Sequence, residues 1–270
     1  MGCTWDKVAL GDTGLRVAPL GLSASYGASA SDVQRAFDRG INYFYWGSMR
    51  TATFGEGLKT LARNHRTDMV VVIQTYTRFA SLMGWSLDRA LRKLSIDYAD
   101  FLLLGWWNKL PPRRILDTAL KLKQQGKVKH LLISGHNRPS FETFIQEPAI
   151  DAIMVRYNAA HTGAEQEVFP HLSKRNVGVT TYTATRWAAL LDPAFTPPGD
   201  RTPTAPDCYR FNLTNPHVNL VMLGPKNTAQ LDEAMTALDK GPMSEEELQW
   251  MRRVGKAVRA RNRYTDRLRD

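Results

Sequence analysis

The chain predicts a (β/α)8 TIM barrel, one domain over residues 1–270 with an N-terminal hairpin and an extra C-terminal helix. Three observations predict it. Eight short β-rich runs alternate with helix-length amphipathic segments, the pattern of a parallel βα architecture. A length of 270 residues with 43% hydrophobic content suits one large core of this kind. No interdomain linker interrupts the alternation, and no repeat shorter or longer than the βα period is visible.

Taken in order, the opening VALGDTGLRVAPL reads as a hairpin that turns at Gly11-Asp12-Thr13-Gly14 and plugs the barrel floor. The strand candidates are Val17–Ser23, Asn42–Trp46, Asp68–Tyr76, Asp100–Trp106, Val128–Ser134, Ala152–Tyr157, Gly178–Thr183 and Asn219–Leu223. Between them run helical segments such as Ser31–Arg39, Ser86–Leu94, Arg113–Gln125, Ala164–Lys174 and Ala229–Leu238. Ser31 and Asp32 can cap the first, Gly126 stops the third, and Ser244 with Glu247 forms a capping box for a terminal helix. In that helix Leu248, Met251, Val254 and Val258 recur at helical spacing, which turns its arginines toward water. The Pro-rich stretch from Pro193 to Pro206 is a long loop, either a lid or a spacer.

The net charge is +10, with much of it in the last twenty residues, and no nucleic-acid-binding motif accompanies it. No run of eighteen apolar residues occurs, the start MGCTWDKVAL lacks an apolar signal core, and Asp6 departs from the myristoylation pattern that Gly2 begins. The expectation is a cytoplasmic protein with a small-molecule substrate and neither a nucleic-acid nor a membrane partner. Cys3 and Cys208 read as free thiols, and the absence of HExxH, CxxC, P-loop, GxSxG and paired-carboxylate spacing argues against a metal site or hydrolase chemistry.

In a βα barrel the strand ends converge on one mouth, here carrying Tyr45, Tyr76, Gly105, His136, Arg156, Asn158 and Tyr182, with Arg50 on an adjoining loop. A phenol beside Arg50 is stabilised as phenolate, so Tyr45 or Tyr76 can serve as acid or base; the alternative is that both fill the barrel. Arg50 and Arg156 suit anionic ligands or internal ion pairs. His136 titrates near neutrality, or simply bonds loop backbone. Trp106 and Trp107 can wall a flat apolar substrate or pack without one, and the short loop from Asn108 to Arg113 predicts an open mouth.

Several stretches together carry a family likeness. LGDTGLRVAPLGL, GINYFYWGSMR, LRKLSIDYADFLLL, QQGKVKHLLISGHNRP, VRYNAAH, VGVTTYTA and LGPKNTAQLDEAM follow one another through nearly the whole chain, and their series resembles the aldo-keto reductase superfamily. The resemblance implies NADP(H) as cofactor. It implies that Ser134 holds the nicotinamide carboxamide, Tyr182 stacks on the nicotinamide, Gly224 lies in the turn near the cofactor and Lys226 meets the 2′-phosphate. The same likeness places Tyr45, Arg50, Tyr76 and Gly105 where the family has its aspartate, tyrosine, lysine and histidine. Met154, Gly135 and Ala234 also depart from its glutamine and two asparagines.

Three functions follow as expectations. The first is an NADP(H)-dependent oxidoreductase with a rebuilt proton donor drawn from Tyr45, Arg50, Tyr76 and His136, and with Trp106, Trp107, Arg156 and Asn158 facing substrate. The second is a repurposed barrel performing nonredox acid-base chemistry on an anionic or aromatic metabolite. The third is a noncatalytic cofactor-binding protein.

Overall fold

The computed structural model describes residues 5–47, 50–75 and 77–261. Val8–Ala9 (β1) and Arg16–Val17 (β2) pair antiparallel as the N-terminal hairpin. Eight parallel strands then close a barrel: Leu20–Ser23 (β3), Tyr43–Trp46 (β4), Val70–Thr75 (β5), Ala99–Leu104 (β6), Val128–Ser134 (β7), Ala152–Arg156 (β8), Gly178–Tyr182 (β9) and Leu220–Leu223 (β10), with β10 pairing back to β3. The helices are Ala30–Asp38 (α1), Ala52–His65 (α2), Ala80–Leu94 (α3), Arg113–Gln124 (α4), Ser140–Gln146 (α5), Ala164–Glu167 (α6), Ala205–Thr214 (α7), Thr228–Met235 (α8) and Glu245–Arg261 (α9).

The period-two alternation of each strand sorts its side chains into two cores. Phe44, Trp46, Val71, Ile73, Leu102 and Leu104 pack outward against the helices. Tyr43, Tyr45, Val72, Phe101, Leu103, Leu132 and Met154 fill the barrel, joined from below by Leu10 and Val17 of the hairpin. The hairpin therefore closes the floor, as the sequence predicts.

Elsewhere local chemistry moved the boundaries. The predicted run Val17–Ser23 divides between β2 and β3 because Pro19 sits inside it and has no N–H to give to a ladder. The predicted helix Ala164–Lys174 becomes α6 followed by a 3-10 segment, Phe169–Lys174, with Pro170 near its start. The cap of α1 is Ser29 rather than Ser31, and Asp32 completes its capping box. The box expected at Ser244 and Glu247 is present, and Met251, Val254 and Val258 of α9 are fully buried. The Pro-rich stretch is a packed spacer: Arg201 donates to Asp207 at 2.8 Å, and its guanidinium lies 3.7 Å from the centre of the Trp250 ring.

Two consequences are measurable. Phe101 is fully buried with ring neighbours Tyr43 and His130 at 6.3 and 5.3 Å. Phe101→Ala should therefore cost about 3–5 kcal/mol in urea unfolding; an unchanged midpoint would contradict this packing.

The second concerns alkaline pH. Burial pushes up the phenols of Tyr43, Tyr157 and Tyr209 and the thiol of Cys208, and it pushes Tyr182 up to about 12 against the lowering effect of Arg156. The folded chain thus holds these phenolic protons more tightly than the unfolded one, whose tyrosines titrate near 10. Their stabilising contribution is complete below about pH 10 and declines as pH rises toward 12. Unfolding midpoints measured from pH 8 to 11.5 should fall steeply at the alkaline end, with tyrosinate absorbance rising together with unfolding. Full tyrosine ionisation near pH 10 in an intact fold would contradict it.

Candidate active site

The last inward-facing layer at the carboxyl ends of the strands contains Tyr45, Gln74, Ser134, Arg156 and Tyr182. The Tyr45 hydroxyl donates to Oε1 of Gln74, and both side chains are buried. A glutamine inside a Val/Ile strand is costly to bury without a partner, and Tyr45 supplies one. That placement was the available signal for Gln74, which sequence reasoning missed.

Arg50 is anchored in the wall of the mouth. Its guanidinium donates to the Gln74 carbonyl at 2.7 Å, the Ser86 carbonyl at 3.2 Å and the Ser86 hydroxyl at 3.3 Å. Burial lowers its pKa from the ordinary arginine value, with Arg89 adding repulsion and Tyr45 opposing both. The guanidinium remains a cation at neutral pH, and its contacts tie the loop after β4 to β5 and α3. Tyr76 lies outside the described residues.

A second group crosses the ends of β6 and β7. Arg78 donates to the carbonyls of Gly105 at 3.1 Å and Trp106 at 2.6 Å, while its guanidinium stacks 3.8 Å from the centre of the Trp107 ring. Burial lowers its pKa as well. Sequence reasoning missed Arg78, because nothing in the spacing of a loop arginine announces which carbonyls it reaches. Trp106 takes a left-handed conformation, φ 57°, a strained choice for a bulky residue. Its backbone N–H donates to the Ser134 hydroxyl at 3.2 Å, and the Trp107 N–H to the Ser134 carbonyl at 2.8 Å. Gly135 permits this crossing, since a Cβ there would stand 2.1 Å from the Trp107 carbonyl oxygen. Of the two tryptophans in this crossing, Trp107 is buried, whereas Trp106 is 61% exposed.

His136 sits in the midst of this crossing. Its ring meets Trp106 edge-on at 5.7 Å and Tyr182 edge-on at 6.4 Å, and its backbone N–H donates to Asn108 at 2.8 Å. Arg156 pairs in register with Tyr182 and lowers that phenol's pKa, so the tyrosine–arginine pairing expected at Tyr45 and Arg50 has a counterpart across the barrel. Burial nevertheless keeps Tyr182 a neutral phenol around pH 7. Asn158 is committed to the backbone: its oxygen accepts from the N–H groups of Ala160 and His161, and its amide donates to Thr183 at 2.8 Å.

The opposite rim offers room for an anion. Lys226 is exposed just ahead of α8, whose first turn is capped by Asn227 accepting from Gln230. Gly224 lies beneath the Tyr26 ring, where a Cβ would come within 2.5 Å of it. These residues fit the phosphate end of a dinucleotide. At the Ser134 end the hydroxyl already accepts from the Trp106 N–H, which leaves its O–H to donate. Cavities of about 500 and 680 Å³ lie elsewhere, one at the floor beside Lys7, Arg16 and Asp100, the other between α1 and α8. Geometry favours the strand ends, where polar groups and strained backbone converge.

The aldo/keto reductase family model matches residues 21–204. L-galactose dehydrogenase of Arabidopsis thaliana is 25% identical, over 89% of this chain and 91% of the plant protein. Among solved structures, aldo-keto reductase AKR11C1 from Bacillus halodurans has a TM-score of 0.78 at 20% identity, covering 94% of this chain and 97% of its own. An aldo-keto reductase from Klebsiella pneumoniae in complex with NADPH has a TM-score of 0.75 at 20% identity, covering 93% and 95%. With the model matching well over half of its length and the eight-stranded barrel closing as that family's fold requires, the chain belongs to the aldo/keto reductase family.

Proposed function

We propose that this chain is an NADP(H)-binding oxidoreductase whose proton-handling group is rebuilt. The observation that carries the reading is Lys226 standing exposed just ahead of α8, after β10, the strand that pairs with the Tyr182 strand β9, in a barrel of the aldo/keto reductase family. Lys226 supplies charge to a 2′-phosphate, Gly224 lies in the adjoining turn beneath the Tyr26 ring, Tyr182 offers a neutral ring face and Ser134 a hydroxyl. The bound cofactor would supply or accept hydride. Tyr45 with Gln74 is the proton-handling candidate on one side and His136 on the other, with Arg50 as a positioning residue. Trp106, Trp107 and Arg156 shape the space between them, while Asn158, expected to face substrate, is buried and spent on backbone hydrogen bonds. Tyr76 remains a candidate acid on sequence grounds. Gly105 provides no side chain to orient a carbonyl oxygen, so reduction of simple aldehydes should be slower than in a complete site by on the order of a hundred- to ten-thousandfold.

The Ser134 hydroxyl, already engaged by the Trp106 N–H, favours one alternative, a barrel performing acid-base chemistry without hydride transfer. Titration of the protein with NADPH and NADP+, followed by tryptophan quenching, separates the two. Saturable binding supports the oxidoreductase reading; no binding at millimolar cofactor would support the alternative. Lys226→Ala should weaken NADPH about tenfold or more, roughly 1.4 kcal/mol, while leaving NADH nearly unchanged. Equal weakening of both would remove Lys226 from the phosphate site, and rapid turnover of simple aldehydes would overturn the rebuilt donor.

A further inference from the structure

A second feature of the barrel's carboxyl end belongs to its outer rim. Phe79, Leu82 and Trp85 are 69%, 50% and 58% exposed, and they stand at three-residue intervals on the first two turns of α3 and the residue before it. Trp106 lies next to them, joined through Arg78, whose guanidinium reaches the Trp106 carbonyl from the position preceding Phe79. Isolated exposed apolar side chains are ordinary, but four large ones on one helix start and the loop beside it form a surface that water does not favour.

The rest of α3 shows that this is a designed face rather than a slipped core. Met83, Leu87, Ala90, Leu91 and Leu94 are buried, so the helix has its inner stripe already satisfied. Its outer stripe carries Leu82 and Trp85, followed by exposed Arg89, Arg92 and Lys93. The Arg89 guanidinium lies 5.4 Å from the centre of the Trp85 ring. Lys109 adds an exposed cation beside Trp106. Residues 101–116 contain no Asp or Glu, and residues 69–93 contain one, Asp88, whose carboxylate accepts from Lys127 at 2.7 Å.

We propose that this rim docks the barrel onto an anionic lipid surface, with Phe79, Leu82, Trp85 and Trp106 entering the interfacial layer and the α3 cations meeting the headgroups. The chemistry is complementary at both ranges. Aromatic and leucine tips partition into the headgroup boundary, flanking arginine and lysine pair with lipid phosphates, and the chain's net charge of +10 draws it toward a negative leaflet. Phe79, Leu82 and Trp85 on one helix start and Trp106 on the loop beside it make a narrow apolar strip flanked by cations, rather than the broad apolar face that a stable protein partner buries. Among the described residues no helix is long and apolar enough to cross a membrane, and docking needs none. The expectation of no membrane partner rested on the missing span, the missing signal core and the broken myristoylation pattern, none of which bears on a contact made by exposed side chains. The proposal is independent of whether the site binds NADP(H).

The test is flotation of the full chain with vesicles of phosphatidylcholine alone and of phosphatidylcholine with about one third phosphatidylglycerol at low salt. Co-flotation should occur with the anionic vesicles and be weak with the neutral ones, with a blue shift in tryptophan emission. Leu82→Ser with Trp85→Ser should reduce it at least tenfold, as should Arg89→Glu with Arg92→Glu, while Val8→Ser on the distant hairpin should leave it unchanged. All these positions are exposed, and circular dichroism confirms that each variant is folded. Failure to bind anionic vesicles would overturn the proposal. So would binding that persists in the Leu82/Trp85 variant, which would assign it to general charge, or a Trp85-dependent self-association in place of lipid binding, which would assign the rim to a second copy.

Discussion

Closure of the sheet is the constraint on which everything else depends. Eight parallel strands paired from β3 round to β10 leave no free edge, and the pleat then sends alternate residues into one shared interior. Tyr45 and Gln74 can meet only because β4 and β5 are neighbours in that register, and Arg156 reaches Tyr182 through the β8–β9 ladder. Phe101 and its neighbours below hold these strands at the spacing the upper layer requires. The site residues sit in positions that the barrel's core packing fixes.

The mouth has its own second constraint. Arg78 holds the ends of β6 by their carbonyls, Trp106 accepts an unfavourable backbone conformation, and Trp107 crosses where Gly135 leaves space. These three features form one unit, because the crossing depends on both the glycine and the donated hydrogen bonds. It places His136 and Tyr182 side by side and engages the Ser134 hydroxyl, while Lys226 remains exposed. One side of the mouth is therefore tightly ordered by the chain itself and the other is accessible to an anion.

The barrel was legible because its signals are periodic: β-branched runs, amphipathic helices and the α9 capping box all speak within a few residues of one another. Boundaries shifted where a single proline outweighed the pattern, as at Pro19 and Pro170, and where Ser29, two residues ahead of the expected cap, made the reciprocal bond with Asp32. The site was legible as a set of strand ends but not as a set of contacts. The positions of Ser134, Arg156 and Tyr182 follow from alternation. That Arg50 would reach Ser86, that Asn158 would serve the backbone and that Arg78 would cover Gly105 depends on loop paths joining residues far apart in sequence, which no local pattern encodes.

The central claim is that a dinucleotide binds at the carboxyl ends of this barrel, between Tyr182 and the start of α8. Hydrogen exchange measured with and without saturating NADPH locates such binding directly. The account predicts slowed exchange in residues 224–231 and 182–188, with the floor around Lys7 and Arg16 unaffected. Unchanged exchange at both mouth segments, or protection confined to the floor cavity, would contradict it.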